Sequence, residues 1–119
     1  MNIYLAGDLK SNWQDSLLPS ISAHTVTDPR KFQGLAAADY TAAELAAIRA
    51  CDVLIACMRA DNPSGYGLML EAGYALGLSK RIIFWDAVQS DRNRSRFFDM
   101  LRAACGCVCY SVSDVVDAL

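Results

Sequence analysis

Glu71 stands in the stretch NPSGYGLMLEAGYALG (62–77), a carboxylate a few residues beyond a loop that carries Pro63, Gly65 and Gly67. An ionised carboxylate beside a glycine-lined pocket can attack an electrophilic carbon as a nucleophile. Its flanks say where it sits. CDVLIACM (51–58) reads as a buried strand and RIIFW (81–85) as another, so strand, loop, helix and strand make a βαβ unit. Ligands of such units collect where the loops leave the carboxyl ends of the strands. With the helix starting near Gly67, Glu71 falls in about its first turn, where the positive end of the helix dipole favours the ionised form. Glutamate is also favoured there without any chemical role, so its partners matter.

Glu44 is the first candidate partner. It follows Thr41 at capping-box spacing, and it either serves that cap alone or points into the same crevice. In the second case one carboxylate attacks carbon while the other holds, or shares a proton with, the leaving group, as in two-carboxylate chemistry at a sugar carbon. The first strand, NIYLA (2–6), brings Tyr4, Gly7 and Asp8 to the ligand edge of the sheet or just beneath it. A tyrosine hydroxyl there can bond to a carboxylate, and a glycine lets substrate approach the backbone; a core aromatic and a turn explain the pair equally well. Gly65 and Gly67 bracket Tyr66 where the chain turns tightly or a ligand comes close. Asp61 and Asn62 open the same loop and can hydrogen-bond sugar hydroxyls, although Asp-Asn-Pro-Ser-Gly is also ordinary turn sequence. Gly73 and Gly77, one turn apart, suit close packing of the helix on a sheet. Asp52 is expected outside the site. Arg30, Arg92, Arg94 and Arg96 are the phosphate candidates, against a background in which most such charges are solvated surface.

A chain of 119 residues makes one domain, 1–119, with a single real core. It is 54% hydrophobic, yet its apolar runs are only strand-sized and none approaches membrane-spanning length. The opening MNIYLAGD lacks a basic region followed by a long apolar one, so it does not read as a secretion signal and a cytoplasmic protein is expected. A net charge of −2 without a basic stripe argues against a nucleic-acid polymer as partner and leaves small molecules. Five cysteines, an odd number, suggest thiols rather than a disulfide framework. Cys105, Cys107 and Cys109 alternate as core residues of a strand would, and with His24 far away no metal site is expected. Neither a Walker motif nor a dinucleotide fingerprint occurs, so no cofactor is expected.

Elsewhere, 12–22 reads as a short helix and 24–28 as a short strand. Residues 30–38 read as a connecting loop, and a helix follows Thr41. Beyond 81–85 the chain is polar until a helix with Phe97, Phe98, Met100 and Leu101; strand 106–110 and a helix after Ser111 or Ser113 close it. Alternating strands and helices predict a doubly wound, flavodoxin- or Rossmann-like α/β domain, with a parallel sheet of about five strands and helices on both faces.

The segments IYLAG, AAELAAIRACDVLIA (42–56) and SGYGLMLEAGYALG (64–77) resemble the nucleoside 2-deoxyribosyltransferases and the related nucleoside 5'-monophosphate N-glycosidases. The resemblance covers the first strand and residues 41–85. It implies that Glu71 attacks the anomeric carbon to form a covalent sugar–enzyme intermediate, that Tyr4 orients it, and that Glu44 contacts the base and helps protonate it. It also implies that Gly7 and the loop 64–67 lie against the sugar and its 5' end, and that the protein is a homo-oligomer. Transferases carry Asp where this chain has Gly65; the adjacent Ser64 matches the serine that binds 5'-phosphate in the monophosphate hydrolases. The expected function is cleavage of the N-glycosidic bond of a nucleoside or nucleotide, with transfer to another base or to water. A non-catalytic nucleotide-sensing module using the same pocket is the alternative. A flavin-binding domain ranks last, because no phosphate-cradling loop follows the first strand.

Overall fold

Apolar runs covered on both faces become the strands of a parallel sheet. The computed structural model describes residues 1–119. It contains β1 (Asn2–Gly7), β2 (Thr25–Thr27), β3 (Val53–Arg59), β4 (Arg81–Ala87) and β5 (Val108–Cys109), in the order β2-β1-β3-β4-β5 with every pair parallel. This is the flavodoxin-like order, and the chain reverses direction across the sheet between β1 and β3. The helices are α1 (Trp13–Leu17), α2 (Ala37–Ala50), α3 (Tyr66–Gly77), α4 (Arg92–Ser95), α5 (Asp99–Cys105) and α6 (Val112–Ala118).

Alternation along the strands divides the core in two. Tyr4, Ala6, Leu54, Ala56, Ile82 and Phe84 pack against Ile48 of α2, Leu68, Ala72 and Ala75 of α3, and Leu101 of α5. Ile3, Leu5, Ile55, Cys57, Ile83 and Trp85 face the other way, onto Trp13 and Leu17 of α1 and Val115 of α6. Asp52, at the start of β3, accepts the Asn2 amide at 2.7 Å and so ties β3 to β1, away from the ligand edge.

Several local expectations are corrected. The helix expected over 12–22 ends at Leu17 and tightens into a 3-10 turn, Leu18–Ile21, at Pro19. Thr41 caps nothing: α2 starts at Ala37, because the good helix formers of AAADY carry it back through the expected loop. Gly73 and Gly77 are exposed with open space around them, and the alanines Ala72 and Ala75 make the close helix–sheet contact instead. The last strand is only two residues long, since Gly106 adopts a left-handed conformation (φ 69°) that closes α5. Cys105 therefore joins the first core, while Cys107 and Cys109 join the second. Ser111, not Ser113, caps α6 by accepting the Asp114 amide at 3.1 Å.

One ion pair holds the segment after β4. Asp86 is 1% exposed and accepts from Arg102 Nε at 2.7 Å. The same guanidinium donates to the Ser95 carbonyl at 2.8 Å and to Ser95 Oγ at 2.7 Å, pinning α4 and the turn beyond it onto α5. Removing one partner of a buried pair leaves the other uncompensated, at a cost of about 3 kcal/mol or more. Asp86→Asn is therefore expected to lower the urea-unfolding free energy by about 3 kcal/mol; a loss below about 1 kcal/mol would show that the clamp is dispensable.

Candidate active site

The cleft lies over the carboxyl ends of β1 and β3, where the strand order reverses. It encloses about 260 Å³. The end of β1 contributes Gly7, Asp8 and Leu9, the turn after β2 contributes Pro29, and α2 contributes Tyr40 and Glu44. Asn62, Ser64 and Gly65 come from the β3–α3 loop, and Tyr66, Gly67, Leu68 and Glu71 from α3. Past Glu44 the cleft continues into a hollow of about 370 Å³ floored by Phe32, Gln33 and Leu35.

Helix α3 buries Leu68, Ala72 and Ala75, a stripe at helical spacing that lays it on the sheet. Glu71 is carried on the inner side of that helix toward Tyr4 of β1, which is 0% exposed. The tyrosine lies near enough to favour the Glu71 anion, yet the two fall short of hydrogen-bond geometry: Tyr4 Oη and Glu71 Oε2 are both buried without a partner. Desolvation raises the Glu71 pKa to about 7, Tyr4 opposes that rise, and the nearby Glu44 carboxylate adds to it. The expectation of a carboxylate kept ionised by the helix dipole is thereby corrected. Helix α3 begins at Tyr66, so Glu71 is its sixth residue, beyond the first turn where the dipole acts, and burial decides. Glu44, half-buried on α2, is also raised by desolvation. Burial, then Glu71, push the Tyr4 phenol far up, so its hydroxyl stays protonated.

The remaining expected residues divide by what their side chains do. Asp8 lines the cleft, but its carboxylate accepts the Lys10 and Ser11 amides at 2.9 and 3.0 Å. Burial opposes its ionisation and those amides outweigh it, holding its pKa below the usual value. Gly7 is required by packing, since a Cβ there would lie 2.7 Å from the Cys57 carbonyl oxygen and 3.0 Å from the Trp13 ring nitrogen. Gly65 adopts φ 75°, and a Cβ would meet Met58 Sδ at 2.9 Å and Phe98 at 3.0 Å. Asn62 is buried and accepts the Ser64 amide at 3.3 Å, shaping the loop. Gly67 has open space toward the cleft. Asp61 does not reach it: the side chain is exposed and paired with Arg59 at 3.1 Å, because Asp61 turns outward as β3 ends. Sequence reading missed Leu9, Pro29, Tyr40, Tyr66 and Leu68 in the wall. Tyr40, an exposed aromatic in the first turn of α2, was hidden by starting that helix at Thr41.

The fold and the cleft define a doubly wound domain with a two-carboxylate site at its switch point. The profile of the nucleoside 2-deoxyribosyltransferases matches residues 3–109, and the chain belongs to that family of enzymes. Among solved structures it is similar to the 2-deoxyribosyltransferase of Bacillus psychrosaccharolyticus, with a TM-score of 0.77 and 20% identity over 98% of this chain and 91% of that one. It is also similar to the CMP N-glycosidase BcmB of Clostridium botulinum, with a TM-score of 0.67 and 16% identity over 99% and 96% of the two chains. A 2-deoxyribosyltransferase of Leishmania mexicana aligns over 71% of this chain and 65% of that one, with a TM-score of 0.55 and 23% identity. At these identities the likeness concerns the fold. No curated protein sequence matches the chain. No helix is long and apolar enough to cross a membrane.

Burial of Glu71 has a sign in stability. Its unfolded pKa is 4.5 and its folded pKa about 7, so between those values the folded state binds more protons. Stability therefore falls as pH rises through that window, and the full penalty, about 3 kcal/mol, stands above it. Glu71→Gln removes the titration. Compared with wild type, the variant is expected to gain about 3 kcal/mol in urea unfolding between pH 4.5 and pH 8; a difference that does not vary with pH would mean the carboxylate is solvated.

Proposed function

We propose that this enzyme cleaves the N-glycosidic bond of a nucleoside or nucleoside 5'-monophosphate through a covalent glycosyl-Glu71 intermediate. The observation that carries the proposal is Glu71 itself, a buried carboxylate with an unpartnered oxygen at a cleft that also holds Glu44. In the first step the Glu71 carboxylate bonds to the anomeric carbon, and the glycosidic electron pair leaves with the base nitrogen. Glu44, whose carboxyl holds its proton to higher pH than an exposed glutamate, supplies the proton to the departing base. In the second step another base or water attacks the anomeric carbon, and Glu71 is released. Tyr4 acts by positioning: its protonated hydroxyl closes onto the Glu71 carboxylate when substrate arrives, since such contacts tighten in the complex. Gly7, the Asn62–Gly67 loop and Asp8 shape the sugar side.

Self-association is part of the same proposal. Met100 is 82% exposed and lines an almost wholly apolar hollow between α3 and α5, with Met69, Leu76 and Leu101. A homo-oligomer covers this face. Met100→Glu is expected to shift the protein toward monomer in light scattering, and an unaltered mass would place the contact elsewhere. A cytoplasmic location suits the five free thiols.

Incubation with mixed ribo- and deoxyribonucleosides and their 5'-monophosphates, with and without an acceptor base, tests the reaction. Free or exchanged base is expected from wild type, none from Glu71→Gln, and about tenfold to a hundredfold slower release from Tyr4→Phe. The acid limb of kcat/KM falls near pH 7, where Glu71 ionises. Product from Glu71→Gln at the wild-type rate would remove the nucleophile, and ligand binding without product from any substrate would make the chain a nucleotide-sensing module.

A further inference from the structure

Two buried side chains of α1 converge on one backbone oxygen just past the end of β1. Trp13 Nε1 donates to the Asp8 carbonyl at 2.9 Å, and Gln14 Nε2 donates to the same oxygen at 3.0 Å. The indole is a core group, set edge to face on Trp85 with ring centroids 6.0 Å apart. Gln14 is not explained that way. It is 0% exposed, yet its Oε1 is buried without a partner. The amide cannot be turned round to satisfy that oxygen, because only its amino end can face a carbonyl. An orphaned buried acceptor is unfavourable, and the Asp8 carbonyl already has the indole as a partner. Folding alone gives little reason for an amide at position 14.

What the second donor adds is direction. A hydrogen bond from one donor lets a peptide plane rock, whereas two donors on one oxygen restrain it. The Asp8–Leu9 peptide is trans, so its carbonyl and its N–H point to opposite sides. The carbonyl is drawn to the α1 face of the sheet, where a Gly7 Cβ would also meet Trp13. The N–H, on Leu9, is thereby turned to the other face, where α2 and α3 carry Glu44 and Glu71. It donates to no acceptor in the protein, while the next two amides, Lys10 and Ser11, are taken by the Asp8 carboxylate. Leu9 lines both the Glu71 cleft and the hollow beyond Glu44, so its free N–H belongs to the junction between them.

We infer that the Leu9 amide donates to the departing base, and that Gln14 is the positioning residue that keeps this amide turned to the cleft. This rests on the N-glycosidic reading of the Glu71 cleft. As the glycosidic electron pair leaves with the base, negative charge grows on the ring nitrogens and carbonyl oxygens of that base. A fixed N–H aimed there binds the transition state more strongly than the substrate, so its effect falls on kcat. Glu44 lines the same junction. The carboxyl gives up a proton to the base, while the amide keeps its own and holds the charge until the proton arrives.

Gln14→Met tests it by removing the second donor and the orphaned acceptor together at nearly constant side-chain volume. Its urea midpoint is expected to equal or exceed that of wild type, while kcat falls about tenfold and KM barely moves. Gln14→Glu, kept protonated by so dry a place, still donates to the carbonyl. It is expected to retain most of the wild-type kcat at neutral pH and to lose it as rising pH ionises the new carboxyl. Wild-type kcat in Gln14→Met would overturn the inference. So would an equal loss in both variants, or a loss of stability and activity together, which would leave Gln14 as a structural prop. A second readout needs no turnover: in protein with isotope-labelled leucine, the Leu9 amide resonance is expected to shift on titration with free adenine or free cytosine, and not to shift in Gln14→Met. Released base without any Leu9 shift would overturn the inference and keep the reaction. A Gln14-dependent shift in a protein that releases no base would overturn the reaction and sustain the amide as a base-binding donor.

Discussion

The structure is organised around one unfavourable placement, the Glu71 carboxylate held out of water between α3 and β1. A penalty of about 3 kcal/mol is a large share of the 5–15 kcal/mol by which domains of this kind are stable. It persists because the rest of α3 leaves the helix nowhere else to go. Leu68 and the small side chains Ala72 and Ala75 seat it against Leu54, Ala56 and Tyr4, and burying a side chain the size of Leu68 contributes about 1.5–3 kcal/mol. The alanines matter through their size, since larger residues would lift the helix and let water reach Glu71. Strain of this kind survives where the surroundings over-determine it.

The loops around the cleft obey a second constraint, that several of their positions admit no side chain. A Cβ at Gly7 collides with the Cys57 carbonyl across the β1–β3 pair, and one at Gly65 collides with Met58 and Phe98. The absence of an acid at position 65 is therefore built into the packing of this chain, because the space such a side chain would cross is filled from below. Ser64, Gly65 and Tyr66 line the Glu71 cleft and also a second cavity beside Arg94 and Phe98. The Asp86–Arg102–Ser95 clamp fixes the α4–α5 region that supplies both Phe98 and Arg94. One ion pair at the end of β4 thus steadies one side of the site.

Much of this was legible in the residues, and the failures share a cause. Strand runs such as VLIACM and IIFW announce a sheet buried on both faces, and their alternation with helices leads to the parallel order that is found. The gathering of Glu44 and Glu71 at one cleft, with Tyr4 buried beside Glu71, was legible because those strands and helices deliver them to one sheet edge. The ionisation of Glu71 was not, because it depends on how dry the pocket is, and dryness is a property of tertiary packing rather than of helix position. The same limit explains Asp61, whose type suits a sugar hydroxyl while its direction follows the end of β3. It explains Gly73 and Gly77 as well, since spacing says which residues share a helix face but not which face meets the sheet.

Two carboxylates at one cleft raise the question of which does what, and their surroundings separate them. Glu71 is the more deeply enclosed, faces a hydroxyl that favours its anion, and ionises near neutrality. Glu44 is on the open side, where the cleft widens into the hollow beside Phe32 and Leu35. On the proposed reaction the base departs on that open side, toward a carboxyl able to meet it with a proton, while the sugar remains over the enclosed anion. The two charges are coupled across the cleft, since ionised Glu44 raises the cost of ionising Glu71. On that reading the two carboxyls divide the work by position: Glu71 meets the sugar on the enclosed side, and Glu44, whose burial holds its proton more tightly than an exposed glutamate would, meets the base that the attack expels.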